Sequence, residues 1–250
     1  MPREHAPKEE QLPEVTHATG HDELARSATE RSRLYGLLAT VFRREPSAEF
    51  LCQMKTPELV VALAGAGVDL GDEFESGSFA ALAEALAIEY TRLFLGPGRH
   101  ISPHESVQLK RGSGILWGPE TPIVRQAYRD AGFDLGETET DIPDHISVEL
   151  DFLSLLAGQE AQAWSDHDKA GAAKTLKLQH EFISRHLGKW ASAFCAKVEE
   201  EAEFSFYPAF ADLLRGYLSG EKAEVVHRLS ILGGLSTLDT HDTNLQSLNG

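Results

Sequence analysis

Apolar residues return every three or four positions along most of this chain, and no alternating run of useful length interrupts that rhythm. Leu34, Leu38, Val41 and Phe42 fall on one face of a helix that ends near Arg44, with Pro46 stopping it. A shorter helix is predicted over about 57–64, with Pro57 in its first turn and Gly65 and Gly67 at its exit. Ser78 is placed to cap the next, whose stripe is Phe79, Leu82, Leu86, Tyr90 and Leu93. Residues 121–131 read as a short helix with Pro122 near its start and Gly132 at its end. After Asp144, the residues Ile146, Leu150, Leu153 and Ala157 form one stripe, while Val148, Phe152, Leu155 and Leu156 fill another side. A helix apolar on so many sides belongs at the centre of a bundle. Leu176, Ile183, Leu187, Trp190 and Phe194 predict one long helix running to about Glu200. Residues 208–218 give a last full helix, and 225–232 add a turn or two. The expected fold is all-α, a single-domain helical bundle.

The ends read differently. Residues 1–20 are polar, acidic and punctuated by Pro2, Pro7 and Pro13, which predicts a disordered tail. Residues 234–250, rich in Ser, Thr, Asn and Asp, predict a second flexible tail, leaving 21–233 as the helical domain. Inside it, Glu137-Thr138-Glu139-Thr140-Asp141 lies between Gly136 and Pro143 and reads as a hinge. Such a hinge would let two copies exchange segments, so a monomer or a domain-swapped dimer is expected.

Composition narrows the partners. The 250 residues carry a formal net charge of -16, which repels nucleic acid and anionic membrane surfaces and favours a cationic partner. Cys52 and Cys195 stand far apart with no C-x-x-C pair, a usage that suits a reducing compartment. No apolar run approaches the ~20 residues of a transmembrane helix, and the first ten residues lack the apolar core of a signal peptide. The chain is therefore expected in the cytoplasm; Arg43-Arg44 sits mid-sequence with no cleavable segment behind it.

The most informative stretch runs from Tyr90 to Val107: Tyr90-Thr91-Arg92-Leu93-Phe94-Leu95-Gly96-Pro97, then Pro103-His104-Glu105-Ser106-Val107. Pro97 and Pro103 fix their own φ and bar helix to the residue before each, so the segment is a rigid loop at a helix end. A loop ordered by its own chemistry and carrying Arg99, His100, His104 and Glu105 is built to hold something. Further on, Pro143-Asp144-His145-Ile146 opens the most apolar helix.

These segments resemble the TorD/DmsD family of chaperones that mature molybdenum-containing redox enzymes. The family's Y-x-x-L-F-x-G-P, P-x-E-S-V and later D-H are matched by Tyr90, Leu93, Phe94, Gly96, Pro97, Pro103, Glu105, Ser106, Val107, Asp144 and His145. The likeness extends back to 33–38 with Glu45-Pro46 and forward to His186-Leu187, Trp190 and Phe206-Tyr207. It implies a TorD/DmsD-type helical bundle without catalytic activity or a cofactor of its own. It also implies a cytoplasmic chaperone that binds the N-terminal, twin-arginine signal peptide of a molybdopterin-containing oxidoreductase, preventing premature export and assisting cofactor insertion. A NarJ-type assembly chaperone for a non-exported subunit is the alternative. Glu105 and Asp144 are then expected to oppose the leader's arginines, and His145 to shape its backbone. Tyr90, Leu93 and Phe94 would offer apolar contact, with His104 beside them. Two departures stand out: Gly98 and His104 occupy places where some relatives carry tryptophans, and Gln108 replaces a frequent aromatic.

Other chemistries fit less well. Asp144 at a helix start has an ordinary role as a cap. His100-x-x-x-His104 has zinc-like spacing, but Pro103 bars a regular helix there and no Cys sits nearby. His180 and His186 are off one helical face. Glu14-Val15-Thr16-His17 is a lone E-x-x-H, where a di-iron bundle needs two. His21-Asp22, His167-Asp168 and His241-Asp242 evoke metal-dependent phosphohydrolases without their further ligands. The glycine-rich 112–118 follows no strand, so it lacks the setting of a phosphate loop. A metal-dependent helical hydrolase using His100, His104, His145 and carboxylates remains the competing enzyme reading.

Overall fold

The computed structural model describes residues 15–75, 77–96, 100–109, 115–134 and 142–233, with the side chains of 15–19 and 75 left aside. Residues 1–14, the tail from 234, the expected hinge at 137–141 and the Pro97–Gly98–Arg99 step lie outside the described residues. Within them the secondary structure is helical, with no strand. Its elements are α1 (Val15–Arg43), α2 (Ala48–Gln53), α3 (Pro57–Gly65), α4 (Asp72–Glu75) and α5 (Phe79–Tyr90), the last running into a π-helical turn (Thr91–Leu95). Then come α6 (Glu105–Gln108), α7 (Glu120–Asp130), α8 (Ile146–Ser165), α9 (Lys169–Arg185), α10 (Leu187–Glu201) and α11 (Phe206–Ile231). α1 begins at Val15, inside the stretch expected to be a tail.

The central pair is α1 and α8, which lie against each other along much of their length; α9 packs on α8 and α11, and α10 on α11. The expectation for α8 holds: Ile146, Leu150, Leu153, Leu156 and Ala157 are fully buried and Val148 and Phe152 nearly so. Leu155, expected in its apolar surround, is 53% exposed. Ser78 caps α5 through its hydroxyl, which accepts from Ala81 N–H at 3.2 Å.

Two boundaries differ from expectation, for physical reasons. The long helix predicted to reach Glu200 is two helices, interrupted at His186. The apolar spacing runs through the break unchanged, so periodicity alone could not reveal it. Gly188 permits the close restart, since a Cβ there would lie 2.5 Å from the carbonyl oxygen of Ile183. Conversely, the two last segments are one helix, α11. Gly216 and Gly220 sit on its exposed side, where each costs only about 1 kcal/mol relative to alanine. Buried Leu214, Glu221, Val225 and Leu229 carry it past them.

Glu221 belongs to a polar layer. Arg31 of α1 donates to Glu160 of α8 (2.5 Å), Gln179 of α9 (2.8 Å) and Glu221 of α11 (2.9 Å), all buried. Gln179 also donates to Glu160 at 2.8 Å. On each helix this residue stands between two apolar clusters, the large one containing Tyr35, Leu156, Phe182 and Leu214, and a small one containing Ala28, Trp164, Leu176 and Val225. Burial alone would lower the Arg31 pKa, but the carboxylates of Glu160 and Glu221 outweigh it and hold the group protonated. Arg31→Met should cost about 3–5 kcal/mol in urea unfolding, because it takes the hydrogen-bonded cation from two buried carboxylates and leaves Glu160 only Arg228 at 3.8 Å. A loss under about 1 kcal/mol would show that the layer carries no net stability.

Candidate functional site

Two segments distant in sequence are joined backbone to backbone. Glu105 N–H donates to the Asp144 carbonyl (2.9 Å) and Ile146 N–H to the Pro103 carbonyl (2.8 Å), an antiparallel bridge centred on His104 and His145. The rings of those two histidines meet edge to face at 4.9 Å. Pro103 is suited to this place, since its carbonyl is used and it has no N–H to satisfy.

The Asp144 carboxylate fastens a third element. One oxygen accepts from the Ser106 N–H in the first turn of α6 (2.8 Å), the other from the Thr121 hydroxyl in the first turn of α7 (2.8 Å). The side chain is fully buried. Asp144 thus serves helix starts, but those of α6 and α7 and not its own. The cap of α8 is His145, whose Nδ1 accepts from Ser147 N–H at 3.1 Å. That bond puts the ring proton on Nε2 when the imidazole is neutral. Tyr128 of α7 closes the assembly by donating its hydroxyl to the Pro143 carbonyl at 2.8 Å.

Behind this knot lie more carboxylates. Glu105 is buried and meets Nδ1 of His186 at 3.1 Å, and the break between α9 and α10 is where that histidine sits. Glu149 is fully buried beneath it; burial first, then the charges of Glu105 and Asp144, push its pKa well above the usual carboxylate range. Its carboxyl accepts from the indole N–H of Trp190 at 3.3 Å. Glu120, 6% exposed, has an oxygen with no hydrogen-bond partner among the described residues.

Glu105, Glu120 and His186 border a hollow of about 320 Å³ between α6, α7 and the α9–α10 junction. Glu105, Glu120 and Asp130 supply acid, Arg185 and Lys189 supply base, and Leu109 and Ile123 supply apolar wall. Ile123 is 58% exposed, and Ile115, Leu116 and Trp117 add exposed apolar surface just before α7. The turn at Gly118 fits closely, a Cβ there falling 2.9 Å from Cβ of Ser106. It is a packed corner joining α6 and α7. Among the described residues no group of three or more His, Cys, Asp or Glu side chains is arranged to hold a metal.

The family model described as the nitrate reductase delta subunit matches residues 72–196, which is 125 of 250 residues and spans both joined segments. The chain belongs to that family. Its resemblance to the TorD-type chaperones holds along most of its length. Chaperone protein TorD of Vibrio cholerae is 28% identical over 207 residues, covering 77% of this chain and 90% of that one. The Vibrio parahaemolyticus TorD is 26% identical over 208 residues, with 77% and 93% covered. A perchlorate reductase assembly chaperone protein of Dechloromonas aromatica is 25% identical over 145 residues, with 57% and 64% covered. The relatives are named as chaperones, one of them for perchlorate reductase assembly, and this family member is likewise a chaperone and not a catalyst. Among the described residues no helix is long and apolar enough to cross a membrane.

The structure brings His104, Glu105, Asp144 and His145 together, but it gives several of them other work than the sequence suggested. Asp144 has both oxygens occupied internally and offers none to a peptide. Tyr90, Leu93 and Phe94 are 2–4% exposed and belong to the core, so they form no surface groove. The Tyr90 hydroxyl instead donates to the carbonyls of Arg43 (2.9 Å) and Phe42 (3.2 Å) at the end of α1. Phe94 stacks on Phe194 at 5.9 Å. Only Glu105 reaches the hollow. Glu120 and His186 went unassigned as site residues; a Glu before a predicted helix start and a His in a predicted helix middle gave no reason to single them out.

Asp144→Ala removes the acceptor of two buried donors and should cost about 2–6 kcal/mol in urea unfolding, at the usual penalty of about 1–3 kcal/mol per unsatisfied group. An unchanged midpoint would show that the knot is dispensable. His145 is held down to about 3, chiefly by burial, then by the nearness of His104 and Arg43. Its ring signals should stay those of a neutral imidazole in an NMR titration to pH 4.5, while an exposed histidine titrates near 6.5. The unfolded chain therefore takes up this proton first as pH falls. The stabilisation is complete above about 6.5 and drains away between there and 3.

Proposed function

We propose that the protein is a cytoplasmic chaperone which captures the N-terminal leader of a molybdopterin-containing oxidoreductase, holding it from premature export while the cofactor is inserted. The observation that carries this reading is the hollow beside α7. Glu120, a buried carboxylate with one oxygen lacking a hydrogen-bond partner among the described residues, borders it next to Glu105, and exposed Ile123 borders it on the apolar side. Desolvated carboxylates call for a cation, and a guanidinium supplies charge and two parallel hydrogen bonds together. A twin-arginine leader offers two guanidinium groups followed by an apolar run. The arginine would enter the hollow at Glu120 and Glu105, with the run lying over Ile123 and toward Trp117. The net charge of -16 draws such a basic segment in from a distance.

Asp144, His104 and His145 act here by holding α6, α7 and α8 in place, so that Glu105 and Glu120 face one space. The family's name and the perchlorate reductase relative support a reductase subunit as the client, and a second reading makes it one that stays inside the cell. The two share the site and differ in the client.

Calorimetric titration of the full chain with a twin-arginine leader peptide should give a Kd in the micromolar range, about 8 kcal/mol of binding. Glu120→Gln should weaken it at least tenfold, and a peptide with both arginines replaced by glutamine should lose as much. Equal affinity for the two peptides would reject the role of the hollow. Co-purification from native cells, followed by identification of the bound subunit and its leader, separates the two client classes.

A further inference from the structure

Far along the bundle from the knot, the first turns of α1 meet the turn between α8 and α9 through two histidines. Nδ1 of His21 lies 3.1 Å from Nδ1 of His167, with the rings 5.0 Å apart and steeply inclined. Both belong to His-Asp pairs visible in the sequence that the chaperone reading leaves unused. The backbone at His167 adopts a left-handed conformation, φ 58°, in the turn that follows α8. Trp164, buried, packs edge-on against the His21 ring at 5.4 Å and anchors one side.

From this juxtaposition we infer that His21 and His167 form a two-imidazole site for a divalent first-row transition metal, clamping the start of α1 to the α8–α9 turn. Two nitrogens bound to one such ion at 2.0–2.1 Å stand roughly 2.9–3.4 Å apart for cis or tetrahedral geometry. The observed 3.1 Å lies inside that range. Neutral imidazole suits nickel, copper or zinc, and the exposed position leaves room for water in the remaining places. A neutral pair can also share one proton in an N–H···N bond, and that is the account the experiment must separate. Of the neighbouring carboxylates, Asp168 accepts from Gly171 N–H at 2.9 Å and Asp166 from Gln162 at 2.9 Å, while Nδ1 of His167 also lies 3.4 Å from the Trp164 carbonyl oxygen.

The test uses untagged full-length protein and Ni²⁺ as probe, at pH 7.5, by calorimetry and Trp fluorescence. One ion should bind per chain in the micromolar range, quench part of the emission because Trp164 adjoins the site, and raise Tm. His21→Gln and His167→Asn should each weaken binding at least tenfold; asparagine tolerates the left-handed backbone, so the fold survives and far-UV circular dichroism verifies it. His100→Ala, in the other histidine-rich segment, should leave binding unchanged. Absence of binding, equal affinity in all variants, or a loss in His100→Ala alone would overturn the assignment.

Discussion

A single carboxylate organises the functional end of this protein. Asp144 satisfies the starts of two helices with its side chain and the bridge to Glu105 with its carbonyl, so α6, α7 and α8 are fixed by one residue. Burying a charge without partners is costly, and here the two donors that meet it are themselves buried groups that need acceptors. Supply and demand are matched on both sides, which gives the knot its rigidity. The hollow that borders Glu105 and Glu120 inherits its shape from that match.

The acids at the hollow and behind it differ in what their surroundings permit. Glu149, the most buried, has its pKa pushed well up by burial and by its charged neighbours. Glu105 has His186 to face. Glu120 stands at the wall with an oxygen in want of a donor. A graded set of this kind leaves its unmet need at the edge that a ligand can reach, which is how a buried charge can be aimed outward without unfolding its support.

Much of the architecture was legible in the residues. The limits of α3 followed from Pro57 and Gly65, that of α5 from the Ser78 cap, and the centrality of α8 from its many apolar positions. What escaped is what tertiary contact decides. The break at His186 exists where that ring meets Glu105, a partner remote in sequence, while local apolar spacing argues for continuity. α11 runs unbroken because Glu221, polar by type, is buried on Arg31. The family motif points Tyr90, Leu93 and Phe94 toward a ligand, whereas in the fold Tyr90 closes α1 and Phe94 fills an aromatic core. Pattern placed the knot and named most of its members; it could not tell which of them look inward.

The polar layer around Arg31 has a consequence for how the chain finds this arrangement. Apolar stripes alone allow helices to slide past one another by a turn, about 5.4 Å, and still bury oil against oil. With one guanidinium on α1 and its acceptors on three other helices, any such slip would strand ionised groups in hydrocarbon. The layer acts as a tally mark cut across four rods: only the alignment in which the notches coincide is free of that cost, and the hollow at His186, about 10 Å further along α9 from Gln179, is built on rods already set in step.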